Sequence, residues 1–445
     1  MILPAGQTVE NGARAYINAQ IVDPSTGYEG RGGLITENGD VTACGPDVTA
    51  DSVGDLRRVD CRGLTLVPGL VDMRVFTGEP GSEHRETLAS ASEAAAAGGV
   101  TTIIVMPNTE PVIDDVALVD FILRRARDTA IVRVAPMAAL TKGLNGQQMT
   151  EIGMLQEAGA VAVTDGNRPV VNARVLRRAL SYARDFDMLV VQHVEEPELA
   201  AGGVMNEGEV ASRLGLSGIP TAAEVIMLER DLRLVELTGA RYHAAQVSCR
   251  ASLDLMRRAK DNGLPVTCGV SANHLVLNEH DIGAYRTFFK LAPPLRSEED
   301  RAALVAGVAD GTIDVIVSGH DPQEPDTKRL PFAESEFGAV GLETLLPCLM
   351  GLVHAGAVPF IRLIEALSTG PSAILGMGVG GLRPGAPADF TLIDPERSWR
   401  VEASGLRSKS KNSPFEHRVL EGCVMETVVA GHSVYSRDSG AGTAL

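Results

Sequence analysis

Residues 67–81 read VPGLVDMRVFTGEPG, and this stretch frames the rest of the chain. Residues 69–75 have the apolar density of a strand buried on both faces. The run passes directly into Gly78-Glu79-Pro80-Gly81, a turn sequence whose glycines and proline end the strand. A buried strand stopping at such a turn suits the opening of a parallel α/β barrel, where chemistry sits at the carboxyl ends of the strands. Arg74 and Phe76 then stand at the mouth of that barrel.

Working outward, the pattern repeats strand and amphipathic helix. Strands are expected at 69–75, 101–106, 131–136, 161–165, 188–193, 242–248, 265–270 and 314–318. Helices are expected at 83–97, 116–127, 147–158, 173–186, 222–238, 251–262, 298–309 and 343–354, with a further one at 359–367. Eight such pairs predict a (β/α)8 TIM barrel of the α/β class. Long loops at 195–220 and 320–338 leave strand ends on the face that builds barrel sites. Residues 13–23, 33–45, 384–395 and 423–435 alternate like short strands and lie outside the barrel. The division expected is 1–66 and 381–445 as the two parts of a terminal β-sandwich, with 67–380 as the barrel.

A chain of 445 residues, 44% hydrophobic and 22% charged, fits one large barrel with an appendage. The net charge of −17 argues against nucleic acid and anionic membrane as partners, because phosphate contacts need a basic patch. Six scattered cysteines suit reduced, buried thiols of a cytoplasmic protein. The amino-terminal MILPAGQTVENG has no leader pattern, no apolar run approaches the roughly 18 residues of a membrane helix, and the polar last ten residues should be loose.

Several phrases resemble the cyclic amidohydrolases, bacterial dihydroorotase in particular. They are GGVTTIIVMPNTEP, GGVMNEGEVASRLGLSGIP, PPLRSEEDR and KRLPFAESEFGAVGLETLLP, spread along nearly the whole chain in family order. The family writes the opening strand as P-G-[LIV]-[IV]-D-x-H-[VC]-H-[LF]-R-x-P-G, with both histidines on the catalytic zinc. Here Arg74 and Phe76 replace them, and Gly78 replaces the substrate-binding arginine. The resemblance implies a β-sandwich formed by both termini, a homo-oligomer, and a bound metal that turns water into hydroxide at neutral pH.

Carried over residue by residue, Asp165 matches the bridging acid and His193 a strand-end histidine. Gln246 stands for a further histidine and Gly319 for the catalytic aspartate. Asn108, Phe337, Gly338 and Gln323 fall at substrate-contacting positions, while Ala292 replaces an asparagine there. Two remaining donors, Asp165 and His193, fall short of zinc's usual three or four, so no cofactor is expected; zinc enters only if an altered metal site is active. A substitute Arg74–Asp165 ion pair is expected, with Phe76 filling the metal's space. Without a metal, Asp165 and His193 become a buried hydrogen-bonded pair. His320 and Asp321, adjacent on an extended loop, should point apart, and His243 should be packed.

The function this implies is a dihydroorotase-like protein of de novo pyrimidine biosynthesis that lacks the zinc centre and partners aspartate transcarbamoylase without catalysis. The alternatives are an active dihydroorotase with an altered metal site, reversibly hydrolysing dihydroorotate to carbamoyl aspartate, and a metabolite sensor that binds through Asn108.

Overall fold

A computed structural model describes residues 12–437. The amino-terminal stretch and polar tail discussed above lie outside it, apart from Gly12, Ser436 and Arg437.

Eight parallel strands surround the centre: Leu70–Val75, Val100–Val105, Arg133–Ala139, Ala162–Thr164, Val190–Gln192, Tyr242–Ala244, Val266–Ser271 and Val315–Val317. Each pairs with the next in chain order. The last meets the first through Asp72, whose carboxylate oxygens both lie 3.3 Å from the Ser318 N–H donor. Val75 bridges His320 in parallel, and the Phe76 N–H donates to the His320 carbonyl at 3.0 Å. This is the (β/α)8 barrel expected.

Period-two alternation fills both sides of the wall. Ile104, Met106, Met137, Leu189, Val191 and Val317 form the interior cluster, while Ile103, Val105 and Val190 belong to the cluster shared with the helices. The first strand departs from this rule. Met73 joins the interior and Val75 the helix side, although two residues apart should share a face. Its pairing register slips between Asp72 and Val75, so an extra residue is accommodated there. A bulge of this kind re-aims a side chain, and Met73 and Arg74 are the two residues inside it.

Helix starts follow their caps. Asp115, Asn172 and Ser297 side chains accept backbone N–H groups at the heads of Val116–Thr129, Ala173–Arg184 and Glu298–Ala309. Two helices begin later than the periodicity predicts. Leu88–Ala97 waits for a capping box between Thr87 and Ser90, because Glu79 reaches across the preceding turn to accept the Leu88 N–H at 2.9 Å. Ile152–Glu157 waits for Thr150, whose hydroxyl donates to the Ala139 carbonyl at 2.7 Å and holds the chain extended.

The termini join in one eight-stranded sheet. Arg14–Asp23, Tyr28–Glu37, Asp40–Gly45, Arg57–Asp60 and Thr65–Pro68 come from before the barrel; Phe390–Arg400, Val419–Val429 and His432–Ser436 come after it. Thr65–Pro68 and Phe390–Arg400 pair antiparallel at the junction. Tyr16, Ile21, Leu34, Leu66 and Phe390 form its separate core, with the Tyr16 and Phe390 rings edge to face at 4.8 Å. A buried bidentate pair, Arg133 Nε to Asp389 Oδ2 at 2.6 Å and Nη2 to Oδ1 at 3.0 Å, ties barrel wall to sheet.

All six cysteines are free thiols, and among the described residues no helix is long and apolar enough to cross a membrane.

Candidate functional site at the barrel mouth

A cavity of ≈ 390 Å³ opens at the carboxyl ends of the strands. Arg74, Phe76, Asn108, His193, Gln323 and Phe337 line it, as do Arg85, Asn167, Glu195, Ala292 and Asp321. Asp165 and Gln246 are not among its lining residues.

Asp165 is closed off from below. Its Oδ1 accepts the Thr141 N–H at 2.8 Å and its Oδ2 accepts the Thr141 hydroxyl. Burial raises its pKa, and the bonds from Thr141 counter that only in part. The expected Arg74–Asp165 ion pair is absent among the described residues, and Thr141 is the partner that Asp165 takes instead. Burial lowers the Arg74 pKa, while Asp321 and Asp72 hold the charge in place. The Asp165–His193 hydrogen bond does not form either. His193 is buried, its Nε2 lies 3.7 Å from Glu195 Oε1, and its Nδ1 has no partner. Burial raises the Glu195 carboxyl, and His193 beside it brings the net shift below the ordinary value.

Phe76 is buried at the cavity wall. Gln246 is buried behind Gly319 with an unpartnered Oε1. Gly319 has φ +65°, and a Cβ there would stand 2.9 Å from Ser271 Oγ. Gly78 has φ +68°, and a Cβ there would meet the Ser82 carbonyl at 2.5 Å. At Gly78 the larger residue of the family pattern needs backbone movement, and at Gly319 it needs the Ser271 side chain to turn away on a left-handed backbone.

His320 and Asp321 do point apart. His320 Nε2 faces Glu86 Oε2 at 3.4 Å beneath the mouth, and Asp321 enters the cavity. Burial raises the Asp321 pKa; Arg74, Arg85, His320 and Lys328 oppose it. Gln323 Nε2 donates to Asp321 Oδ1 at 2.9 Å. His243 is packed, its Nδ1 2.8 Å from the Thr267 hydroxyl, and burial lowers its pKa to about 3. His274 is likewise buried, Nε2 3.0 Å from the Pro293 carbonyl.

A carboxy-terminal strap completes the mouth. Asn412 Oδ1 accepts the Gln323 N–H at 3.3 Å, and its Nδ2 donates to the Gly338 carbonyl at 3.1 Å. Gly338, at φ +119°, lies against Asp321: an added Cβ would be 2.7 Å from the Asp321 carbonyl. Below, Glu86 accepts the hydroxyls of Ser90 and Ser408. Lys290 Nζ donates to the Phe332, Ala333 and Ser335 carbonyls at 2.6–3.0 Å and lies 4.7 Å from the Phe337 ring centroid. Sequence reasoning missed Arg85, Glu195 and Asn412 as parts of the mouth. Glu195 lies two residues after His193 and could have been read from HVEEP; Arg85 and Asn412 carry no local signal.

The residues at the centre do not fit a divalent metal. A guanidinium and a phenyl ring face the cavity, and Asp165 is turned into bonds with Thr141. Among the described residues, no three or more His, Cys, Asp or Glu side chains are grouped to hold an ion.

Residues 63–252 match the family described as "Dihydro-orotase-like". The chain is 44% identical to the "Dihydroorotase" of Pelobacter propionicus over 94% of its own length and 99% of the relative. It is 41% identical to that of Anaplasma phagocytophilum over 95% of each chain. Among solved structures, the L-hydantoinase (dihydropyrimidinase) from Arthrobacter aurescens superposes with TM-score 0.86 at 25% identity, covering 96% of both chains. The dihydropyrimidinase from Brevibacillus agri, at 20% identity and TM-score 0.82 over 95% of each chain, shares the fold.

Proposed function

The chain belongs to the dihydroorotase family, and from that membership we propose that it serves de novo pyrimidine biosynthesis without hydrolysing the dihydroorotate ring. The observation that carries this reading is Arg74 in the bulge of the first strand. A permanent cation there repels a second positive charge. Metal-assisted hydrolysis needs a cation that accepts water as a ligand, and a guanidinium has no open coordination position. The reading includes a partner role beside aspartate transcarbamoylase, which rests on the family resemblance alone.

The names of the relatives favour a second reading, an active dihydroorotase with an altered metal site, because the identity spans nearly the whole chain. In that case Asp165 and His193 would be its first donors, and Thr141 would have to release Asp165.

Elemental analysis of the purified protein, paired with an assay of dihydroorotate turnover, separates the two. The first reading expects substoichiometric metal and no turnover. Stoichiometric zinc with turnover overturns it. Co-expression with aspartate transcarbamoylase tests the partner role; an unchanged assembly size and unchanged transcarbamoylase activity would remove it.

A further inference from the structure

The strap that carries Asn412 leaves the terminal sheet after Phe390–Arg400 and rejoins it at Val419–Val429. On the way it hangs on two barrel carboxylates. Glu343 Oε1 accepts the Arg407 N–H at 2.7 Å and the Ser408 N–H at 3.2 Å. Glu86 accepts the Lys409 N–H, at 3.1 and 3.2 Å from its two oxygens, and the Ser408 hydroxyl. Three successive backbone donors thus end on two acids, a concavity of the kind that suits negative charge. Beyond them, Lys409 Nζ donates to the Glu83 carbonyl at 2.6 Å and the Ser410 hydroxyl to the Arg85 carbonyl at 2.9 Å. Asn412 then reaches Gln323 and Gly338, so one segment ties the loop after the first barrel strand to the loop after the last.

Among the described residues neither carboxylate has a Lys or Arg ion pair within 4.0 Å. The strap's Lys411 gives its ammonium to the Leu406 and Ser408 carbonyls instead. Glu86 is fully buried; burial pushes its carboxyl up, and bonds from His320, Ser408 and Ser90 bring it net below the ordinary value. Glu343 is half-buried, and its hydrogen-bond donors are backbone N–H groups. Burial pushes its carboxyl up to about 7, against the Ser408 and Arg407 N–H groups and the Lys411 charge. The other titratable groups around it are His320 after the last barrel strand, Glu86 before Leu88–Ala97, Arg407 on the strap and Tyr435 in His432–Ser436. Glu93 of Leu88–Ala97 faces solvent. We infer that residues 401–418 are a proton-controlled latch on the barrel mouth: the strap stays seated while Glu343 is neutral, and lifts Asn412 off Gln323 and Gly338 when Glu343 is charged. A seated strap shields Glu343 from water, and a lifted one returns it to the ordinary carboxyl range. The seated state therefore holds the proton more tightly, and its advantage shrinks as pH rises from 4.5 to about 7. Lys328, whose pKa burial lowers, acts with the opposite sign, so loosening with rising pH belongs to Glu343. The latch governs access to the mouth and holds for either reading of the centre.

Hydrogen exchange of the full chain, read by mass spectrometry and corrected for intrinsic rates, tests the latch between about pH 5 and about pH 8. Protection of the amides at 407–409 should fall by about ten-fold across that range, the worth of one pKa unit at a half-buried carboxyl, while amides of Val419–Val429 keep theirs. Glu343→Gln, which stays neutral and keeps an accepting oxygen, should hold the acid level of protection at every pH. Lys411→Met removes a cation from beside Glu343 and should move the step to higher pH. Thermal melts identify any variant that fails to fold, and the wild-type profile is a test without them. Flat strap protection in the wild type, an unchanged step in folded Glu343→Gln, or a step that folded Lys411→Met leaves in place overturns the latch.

Discussion

Gly319 and Ser271 stand so close that a Cβ on Gly319 would sit 2.9 Å from the Ser271 hydroxyl, on a backbone already at φ +65°. An aspartate returned to this position would need the Ser271 hydroxyl to turn away and would sit on a left-handed backbone that favours glycine. Gly319→Asp is expected to destabilise the protein by about 1–3 kcal/mol, the cost of a strained left-handed residue, and Gly319→Asp with Ser271→Gly by less. Urea titration measures both. Restoring Arg74→His and Phe76→His together should yield no dihydroorotate turnover, because Gln246 and Gly319 remain; recovery from that pair alone would show that the lost positions are misassigned.

Thr141 donates to both Asp165 oxygens, so Thr141→Val should cost about 1–3 kcal/mol by leaving a buried carboxylate oxygen without its donor. The sign with pH follows from the raised Asp165 pKa. The folded state binds the proton more tightly than the unfolded chain, so stability falls as pH rises through the ordinary carboxylate range. Removing the hydroxyl raises that pKa further. The penalty should therefore be smaller at acidic pH than at neutral pH, measured by denaturant melts across that range.

Lys328 is held by the Thr287 and Glu336 carbonyls, and burial lowers its pKa to about 7. Between about 7 and the ordinary lysine value of 10.5 the unfolded chain carries the proton and the folded chain does not, so this residue makes stability rise with pH in that window. Lys328→Met should flatten the rise. A Lys328→Met profile parallel to wild type from pH 7 to 10 counts against the assignment.

Arg133 and Asp389 join the barrel to the terminal sheet, and Asp389 Oδ1 also accepts the Ala430 N–H at 2.7 Å. Asp389→Ala strands a buried guanidinium and should cost about 3–5 kcal/mol in urea unfolding. A loss below about 1 kcal/mol would mean that the pair adds little to the junction.

The barrel was legible because its information is local: apolar strands, capped helices and turn residues recur along the chain. Helix starts followed their caps, and the late start of Leu88–Ala97 is itself written in Thr87 and Ser90, whereas the register slip in the first strand carries no period-two signal. The centre was legible only as a set of missing histidines. What occupies their place depends on contacts distant in sequence, such as Thr141 with Asp165 and Ser408 with Glu86, which no periodicity announces. The expected Arg74–Asp165 pair failed for that reason. Shared position at the mouth says nothing about which acid has already been claimed by a nearer donor.

Asn412 fixes both Gln323 and Gly338, so the mouth is not finished by the barrel residues that line it. During synthesis the eight barrel strands emerge before this asparagine does, and until it leaves the ribosome those two loops lack their anchor. A chain stopped at the end of the barrel would carry every lining residue of the cavity and still leave its rim unset.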